Sequence, residues 1–268
     1  MPVTDRFVFS DPVLLKSIPV HLAIPEKERV RSVLFVMHGT LRNAAEYRDA
    51  WAPAARAAGA LLLVPEFSKR DFPGGLYNRG NVMGLSDDAP QAREAWTFGA
   101  IERLFTEAQK RWKLTQETYD LYGHSAGGQF VHRFVLFMPE ARLRRAVAAN
   151  AGYYTLPTLA PTERFPFGLS NAPGTTERSL SRALSRNLTV LLGEEDTDPN
   201  DPDLYRSVEA DRQGLTRLAR GKNFYSVART EAALRSCTLA WKLQTVSGVG
   251  HSNTRMAPAA ARLLFSEI

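Results

Sequence analysis

The stretch LYGHSAGGQF, residues 121–130, contains a serine, Ser125, flanked by glycines two positions before it and two positions after it. Residues 118–122 have the apolar character of a strand, and residues 126–137 are typical of a helix. The five central residues read G-x-S-x-G, a pattern that carries chemistry when a strand precedes it and a helix follows. The sequence therefore predicts a strand, a sharp turn and a helix, with Ser125 at the apex.

The glycines explain why this turn can exist. A strand that turns sharply into a helix strains the backbone of the apical residue, and side chains two positions to either side would collide. Gly123 and Gly127 remove that collision. The hydroxyl of Ser125 then lies above the carboxyl end of the sheet, at a helix N-terminus that favours developing negative charge. This pattern predicts a nucleophilic serine; a serine that only caps a helix is the alternative.

Apolar runs and helical segments alternate along the rest of the chain, which predicts a mostly parallel sheet covered by helices on both faces. Predicted strands lie at 18–24, 32–37, 60–64, 118–122, 146–149, 187–192 and 241–246. Predicted helices lie at 44–58, with a break or restart at Pro53, at 91–112, 126–137 and 256–265, and within the region before 239. Residues 66–90 and 151–185 are irregular, and 151–185 could form a small cap. We expect one α/β domain over residues 1–268.

Composition and charge narrow the classes of function. The 268 residues are 44% hydrophobic and 23% charged, as in a globular protein. We expect neither a secretory signal nor a membrane-spanning segment, and the lone Cys237 favours a reduced, cytoplasmic location. The net charge of +6 comes from dispersed basic residues without long like-charge runs, so no nucleic-acid partner is expected.

A nucleophilic serine needs a base that accepts its proton. His251 follows the last predicted strand in a glycine-flanked loop, from which its ring can reach over the edge of the sheet. The other histidines precede the elbow, belong to it or lie in the helix after it: His21, His38, His124 and His132. His251 is therefore the predicted base, and His124 is expected to point away from the serine.

The base needs a carboxylate, which should follow a strand between the serine and the histidine. The acid-rich turn after the strand 187–192 is the strand end that offers one. Asp196, three residues after the strand-ending glycine, is the predicted acid; Asp198 and then Glu195 are the alternatives.

A tetrahedral intermediate needs two N–H donors for its oxyanion. The amide of Ala126, directly after the nucleophile, is the first candidate. The second should come from the loop after the strand 32–37, where either Thr40 or Leu41 could supply it.

In this order of nucleophile, acid and histidine, the chain resembles an α/β-hydrolase over nearly its whole length. The stretches HGTLRNAAEYRDAW, PEFSKRDFPGGLYNRGN and GVGHSNTRMAPAA resemble the polyhydroxybutyrate-depolymerase-like and esterase branch. The resemblance implies ester hydrolysis through an acyl-serine intermediate, without metal or cofactor. Secreted depolymerases carry a signal peptide and a separate substrate-binding domain; we expect neither in this chain, and this expectation favours a small or oligomeric ester.

Thioesterase, amidase or peptidase activity on the same three residues is one alternative, and a non-catalytic ligand-binding protein on this scaffold is another. Side chains from the two irregular segments are the expected walls of an acyl pocket. These pocket candidates are Phe67, Phe72, Tyr77, Asn78, Tyr153 and Tyr154.

Overall fold

A computed structural model of the chain describes residues 5–25, 30–85 and 89–266. Within these residues eight strands form one sheet in the order β1-β2-β4-β3-β5-β6-β7-β8. The strands are β1 (Arg6–Asp11), β2 (Lys16–Ala23), β3 (Ser32–Met37), β4 (Ala60–Pro65), β5 (Tyr119–His124), β6 (Leu143–Ala149), β7 (Leu188–Gly193) and β8 (Lys242–Val246). β3 to β8 run parallel, and the predicted α/β class with a mostly parallel central sheet is confirmed.

Helices cover both faces of the sheet. The helices are α1 (Ala44–Ala58), α2 (Gly75–Asn78), α3 (Gly99–Trp112), α4 (Ala126–Phe137), α5 (Glu177–Leu184), α6 (Val208–Gln213), α7 (Arg217–Leu234) and α8 (Asn253–Phe265). α1 and α8 pack on one face, and α3, α4, α5 and α7 pack on the other. Successive side chains of a strand point to opposite faces, so Val33 and Phe35 join one core while Leu34 and Val36 join the other. No helix in the described ranges combines the length and apolarity needed to cross a bilayer.

The N-terminal edge of the sheet differs from the prediction. β1 was not expected from the sequence, and both β1–β2 and β2–β4 are antiparallel pairs. β1 is an edge strand whose burial alternates along its length, so it lacks the continuous apolar run that marks the buried strands. The expectation of strict alternation between strands and helices is therefore wrong at this edge.

Two helices differ from their predictions, one in where it begins and one in its continuity. The helix predicted over 91–112 begins at Gly99, because residues 91–98 bond to the preceding loop: Gln91 N–H donates to the Val82 carbonyl, and Thr97 N–H to that of Gly80. α1 runs through Pro53 without the predicted break. Pro53 is exposed, so water can satisfy the carbonyl whose helical hydrogen bond proline removes.

The two segments predicted as irregular each contain a helix, α2 in 66–90 and α5 in 151–185. α5 packs against α4 and α7. Leu156, Leu169 and Ala172, from the residues before α5, are buried in the same core cluster as α4. Apolar side chains of 151–185 are thus used in packing beside the sheet.

Candidate active site

Ser125 lies at the turn between β5 and α4. Its backbone has φ 59° and ψ −118°, a conformation that residues with side chains rarely adopt. Main-chain hydrogen bonds hold it there: its N–H donates to the Ala149 carbonyl, and its carbonyl accepts from the Gln129 N–H, both at 3.0 Å. The Ser125 side chain forms no capping bond to α4. The hydroxyl therefore has no helix-capping role, which removes the alternative interpretation of this serine.

Close backbone contacts require the glycines around this serine. A Cβ atom on Gly123 would collide with the Gly127 carbonyl, and one on Gly127 would collide with the Met37 carbonyl at the end of β3. A Cβ on Gly128 would lie 2.5 Å from the Ala149 oxygen of β6. The first turn of α4 thus rests directly on the ends of two strands, at a separation that only glycine permits.

His251 and Asp196 meet at the carboxyl ends of β7 and β8. His251 Nδ1 and Asp196 Oδ2 are 2.8 Å apart. Asp196 is buried, whereas His251 is partly exposed and lines the same cavity as Ser125. Because a carboxylate accepts the Nδ1 proton, the neutral ring has its lone pair on Nε2, the nitrogen that a general base uses.

The two alternative acids lie elsewhere. Asp198 is exposed, and its Oδ1 accepts from the Asn200 N–H at 2.8 Å. Glu195 is also exposed. Of the three candidates, Asp196 is the one in hydrogen-bond contact with His251.

Asn150 connects the two loops that carry the acid and the histidine. Its Oδ1 accepts from the Gly193 N–H at 2.8 Å, and its Nδ2 donates to the Gly250 carbonyl at 3.2 Å. It follows β6 with a φ of 44°, in the left-handed region that asparagine tolerates. Asn150 was not predicted from the sequence, although an asparagine directly after a parallel strand was a usable signal.

Buried His38 supports the loop after β3, the loop predicted to hold an oxyanion donor. Its Nδ1 lies 3.0 Å from the Gly39 oxygen, and its Nε2 accepts from the Phe67 N–H at 3.0 Å. Burial, with a smaller effect of the Arg42 charge, lowers the pKa of His38 to about 3. The ring is therefore neutral near pH 7 and donates through Nδ1. The Tyr77 hydroxyl donates to the His38 carbonyl at 2.8 Å.

The aromatic residues of segment 66–90 support this loop from below. Phe67, Phe72 and Tyr77 are buried in the core and do not line the cavity around Ser125. Arg42 donates to the carbonyls of Phe67 and Phe72, at 3.0 and 3.1 Å, and its guanidinium lies 4.2 Å from the Tyr77 ring centroid. Their predicted place on the pocket wall is wrong, because packing beneath the loop buries more of each ring than a wall position would.

Tyr154 also departs from its predicted place on the wall. It is buried, and its ring stacks on Phe224 with centroids 4.5 Å apart. His132 packs against the same tyrosine, with its Nδ1 3.0 Å from the Gly128 oxygen and its Nε2 accepting from the Thr155 N–H at 3.0 Å. These residues pack together beside α4 and do not line the cavity.

A cavity of about 660 Å³ opens beside Ser125. Of the residues that the sequence predicts for the site, it is lined by Ser125, Ala126, His251, Thr40, Leu41, Asn78 and Tyr153. Much of the remaining lining is polar, including Asn43, Glu46, Arg79, Gln129, Asp203, Tyr205, Asn253 and Thr254. Polar side chains therefore make up a large part of the cavity wall.

A buried guanidinium lies next to this cavity. Arg133 donates to Thr155 Oγ1 at 2.8 Å, to the Asn78 carbonyl at 2.9 Å and to Gln129 Oε1 at 3.2 Å. It also lies 4.7 Å from the Tyr153 ring centroid. Burial lowers the pKa of Arg133 to about 10, so the group is still a cation near pH 7. Its hydrogen-bond acceptors within the described residues are neutral groups, and three of its neighbours line the cavity.

Across residues 5–25, 30–85 and 89–266, no three His, Cys, Asp or Glu side chains come together as metal ligands would.

Two solved structures are similar to this chain over almost its whole length. Poly(aspartic acid) hydrolase-1 from Sphingomonas sp. KT-1 is 44% identical, with 97% of each chain covered and a TM-score of 0.92. LpqC, a poly(3-hydroxybutyrate) depolymerase from Bordetella parapertussis, is 35% identical, with 98% of this chain and 90% of that one covered and a TM-score of 0.90. An S-formylglutathione hydrolase from Agrobacterium tumefaciens shares the fold, at 15% identity over 97% of this chain and 92% of that one, with a TM-score of 0.59. No protein-family model and no curated protein matches the sequence.

A mostly parallel sheet of eight strands with a strained serine between β5 and α4 is the architecture of an α/β-hydrolase fold. The chain belongs to the α/β-hydrolase superfamily, in the branch of polyhydroxybutyrate-depolymerase-like proteins and esterases. It is a hydrolase.

Proposed function

We propose that this hydrolase cleaves carboxylic esters through an acyl-serine intermediate. Ser125 is the nucleophile, His251 the general base and Asp196 the acid that orients the base. The observation that carries the proposal is the 2.8 Å contact between His251 Nδ1 and Asp196 Oδ2, beside a cavity that the strained Ser125 also lines. These three residue types in this chain order are what acyl transfer requires.

The reaction has two halves. Ser125 Oγ attacks the ester carbonyl carbon while His251 Nε2 takes the hydroxyl proton, and Asp196 stabilises the resulting imidazolium. The carbon–oxygen bond then breaks, and His251 returns the proton to the leaving alkoxide. Water attacks the acyl-serine in the second half, again with His251 as base, and releases the carboxylic acid. Every group transferred comes from the ester, from water or from these side chains, so no cofactor is required.

The oxyanion of the tetrahedral intermediate is assigned to the Ala126 N–H and to an amide of the loop after β3, from Thr40 or Leu41. This is supported by how closely the loop approaches the serine: a Cβ atom on Gly39 would lie 3.9 Å from Ser125 Cβ and 2.8 Å from the Tyr47 hydroxyl. Gly39 therefore lets the loop backbone reach the reacting centre.

A small or oligomeric ester is the proposed substrate. The cavity of about 660 Å³ is large enough for a drug-sized molecule. The 35% identity to LpqC, a poly(3-hydroxybutyrate) depolymerase, favours a hydroxyalkanoate ester among the alternatives. Asn78 and Tyr153 are the proposed substrate-contacting residues, because they line the cavity.

A second candidate reaction is hydrolysis of amide bonds in an anionic chain. The 44% identical neighbour is a poly(aspartic acid) hydrolase. Arg79 lines the cavity, buried Arg133 lies next to it, and the net charge of +6 would attract a polyanion. An amide would pass through the same steps, with His251 protonating the leaving amine.

One experiment tests the mechanism, and a substrate panel separates the two reactions. We expect a fluorophosphonate probe to label the protein at Ser125, as located by peptide mass spectrometry, and Ser125→Ala to abolish both labelling and hydrolysis without loss of fold. Retained turnover in a folded Ser125→Ala variant would overturn the proposal. Nitrophenyl esters, matching thioesters and anilides, and poly(aspartic acid), assayed side by side, then identify the bond that is cleaved.

A further inference from the structure

Both oxygens of the proposed acid have charged or ionisable partners. Asp196 Oδ2 contacts His251 Nδ1 at 2.8 Å, and Oδ1 contacts Arg217 Nη1 at 3.2 Å. Arg217 is only 2% exposed, and Asp196 is 5% exposed. The acid therefore lies between the histidine and a buried guanidinium, out of reach of bulk water.

The same guanidinium nitrogen contacts a second carboxylate. Arg217 Nη1 donates to Asp201 Oδ2 at 2.6 Å. Burial lowers the pKa of Arg217, but the hydrogen bond to Asp201 and the charge of Asp196 outweigh it and raise that pKa above its usual value. The hydrogen bond from Arg217 lowers the pKa of Asp201. Arg217 and Asp201 are therefore both ionised near pH 7.

A main-chain hydrogen bond also joins the start of α7 to the loop that carries Asp196. Arg217 is the first residue of α7, and the next amide, Leu218 N–H, donates to the Asp196 carbonyl at 3.2 Å. The helix thus contacts both the backbone and the side chain of Asp196. This fixes the carboxylate relative to a rigid element instead of leaving it on a free loop.

We infer that Arg217 and Asp201 are positioning residues for catalysis, which hold the Asp196 carboxylate towards His251 and set the charge around it. The inference rests on the function proposed above, because it needs Asp196 to act through His251.

Charge explains why two residues are needed. The proton transfer creates an imidazolium on His251, and a neighbouring negative charge stabilises it. Arg217 alone would cancel the charge of Asp196 and remove that stabilisation. With Asp201 present, the three groups carry a net charge of −1, which becomes zero when His251 is protonated. Arg217 thus fixes the geometry, while Asp201 restores the negative charge.

The two residues should therefore shift the pH dependence of hydrolysis in opposite directions. The groups facing His251 are Asp196 and the buried His124, whose ring centroid is 4.5 Å away, and Glu46 and Asp203 line the same cavity. All of these are unchanged in variants at 217 and 201. Neutralising Asp201 destabilises the imidazolium, so activity should appear at lower pH. Neutralising Arg217 stabilises it, so activity should appear at higher pH.

The test measures kcat, KM and pH profiles of a nitrophenyl ester for Asp201→Asn, Arg217→Met and Arg217→Lys. For Asp201→Asn we expect kcat to fall by roughly threefold to tenfold, with little change in KM. The rising limb of the pH profile should move to lower pH by about half a unit. For Arg217→Met we expect kcat to fall by about 10–100-fold and the rising limb of the pH profile to move to higher pH. Arg217→Lys should restore the limb and only part of kcat, because an ammonium cannot hold both carboxylates in the guanidinium geometry.

Asp211→Asn is the matched control. Asp211 bonds to Arg220, another buried arginine of α7, at 2.9 Å, and makes no contact with the acid. This variant should lower the melting temperature without moving the pH profile. If Arg217→Met does not fold, the kcat and pH profile of Asp201→Asn test the inference alone. Parental kcat and pH profile in Asp201→Asn, or shifts of the same sign in both variants, overturn the inference, whereas active Ser125→Ala would instead refute the proposed function.

Discussion

The rings of His124 and His251 face each other with their centroids 4.5 Å apart and their planes inclined by 39°. His124 is the variable residue of the serine motif, and it lines the cavity together with His251. Burial, followed by the charges of His251 and Arg217, lowers the pKa of His124 well below its usual value. A neutral ring therefore packs against the proposed base without repelling the imidazolium that forms there.

Because the two rings pack together, the size of the side chain at position 124 should affect both kcat and stability. His124→Phe keeps a flat ring beside His251, so we expect kcat within about tenfold of the parent. His124→Ala leaves a cavity and frees the His251 ring, and we expect a larger fall in kcat and a loss of about 2–4 kcal/mol in the free energy of unfolding. Urea unfolding and nitrophenyl ester kinetics measure both. Equal kcat losses in the two variants would mean that the polar contacts of His124, such as its 3.4 Å contact with Asn150, matter instead.

The fold and the residues proposed for chemistry followed from local patterns. A buried parallel strand is a continuous apolar run, and the turn at Ser125 requires glycine at fixed positions. The predicted bounds of β3, β5 and α4 therefore agree with the structure to within a few residues. The missing information was long-range. Whether Tyr77 lines a cavity or lies under a loop depends on His38, 39 residues away in sequence. Arg217 meets Asp196 only because α7 begins beside the acid turn.

The choice of acid is testable with two variants in one turn. Asp196→Asn removes the acceptor for the Nδ1 proton of His251, so we expect kcat to fall on the order of a thousandfold or more. Asp198→Asn removes the same charge from an exposed position and should leave kcat close to the parental value. The two substitutions remove the same charge, but of the two carboxylates only Asp196 is buried and contacts His251. Reversed effects would make Asp198 the acid.

Tyr77 should act on the oxyanion loop and not on acyl specificity. Tyr77→Phe leaves the buried His38 carbonyl without its donor, which should cost about 1–3 kcal/mol of stability. We expect kcat/KM for acetyl, butyryl and octanoyl esters to fall by a common factor, because the loop serves every substrate alike. A loss that depends on chain length would return Tyr77 to the pocket wall.

Tyr153 is the contrasting position, since it lines the cavity and its ring lies 4.8 Å from that of Tyr205. Tyr153→Ala removes wall contacts that only longer acyl chains reach. The relative kcat/KM of octanoyl and acetyl esters should then change by roughly 1–3 kcal/mol, with acetyl affected least. The same three esters are used as for Tyr77→Phe, so each variant is the control for the other. A uniform loss would mean that Tyr153 supports the fold, through contacts such as that with Arg133.

Buried neutral histidines make acid sensitivity the final prediction. His38, His124 and His132 are fully buried, and burial lowers the pKa of each, that of His38 to about 3. Their pKa in the unfolded chain is about 6.5, so the unfolded state binds more protons below that pH, and stability falls as pH falls from about 6.5 towards 3. Each such histidine increases the loss in the free energy of unfolding by about 1.4 kcal/mol per pH unit.

The variant His132→Gln tests this prediction. It keeps a donor for the Gly128 carbonyl and an acceptor for the Thr155 N–H, but it cannot titrate. Urea unfolding at about pH 7.5, 6 and 5 gives the free energy of unfolding of parent and variant. This free energy should fall less steeply with decreasing pH in the variant, by the contribution of about one bound proton, because all other titrating groups are common to both. Parallel slopes would mean that His132 is protonated equally in the folded and unfolded states.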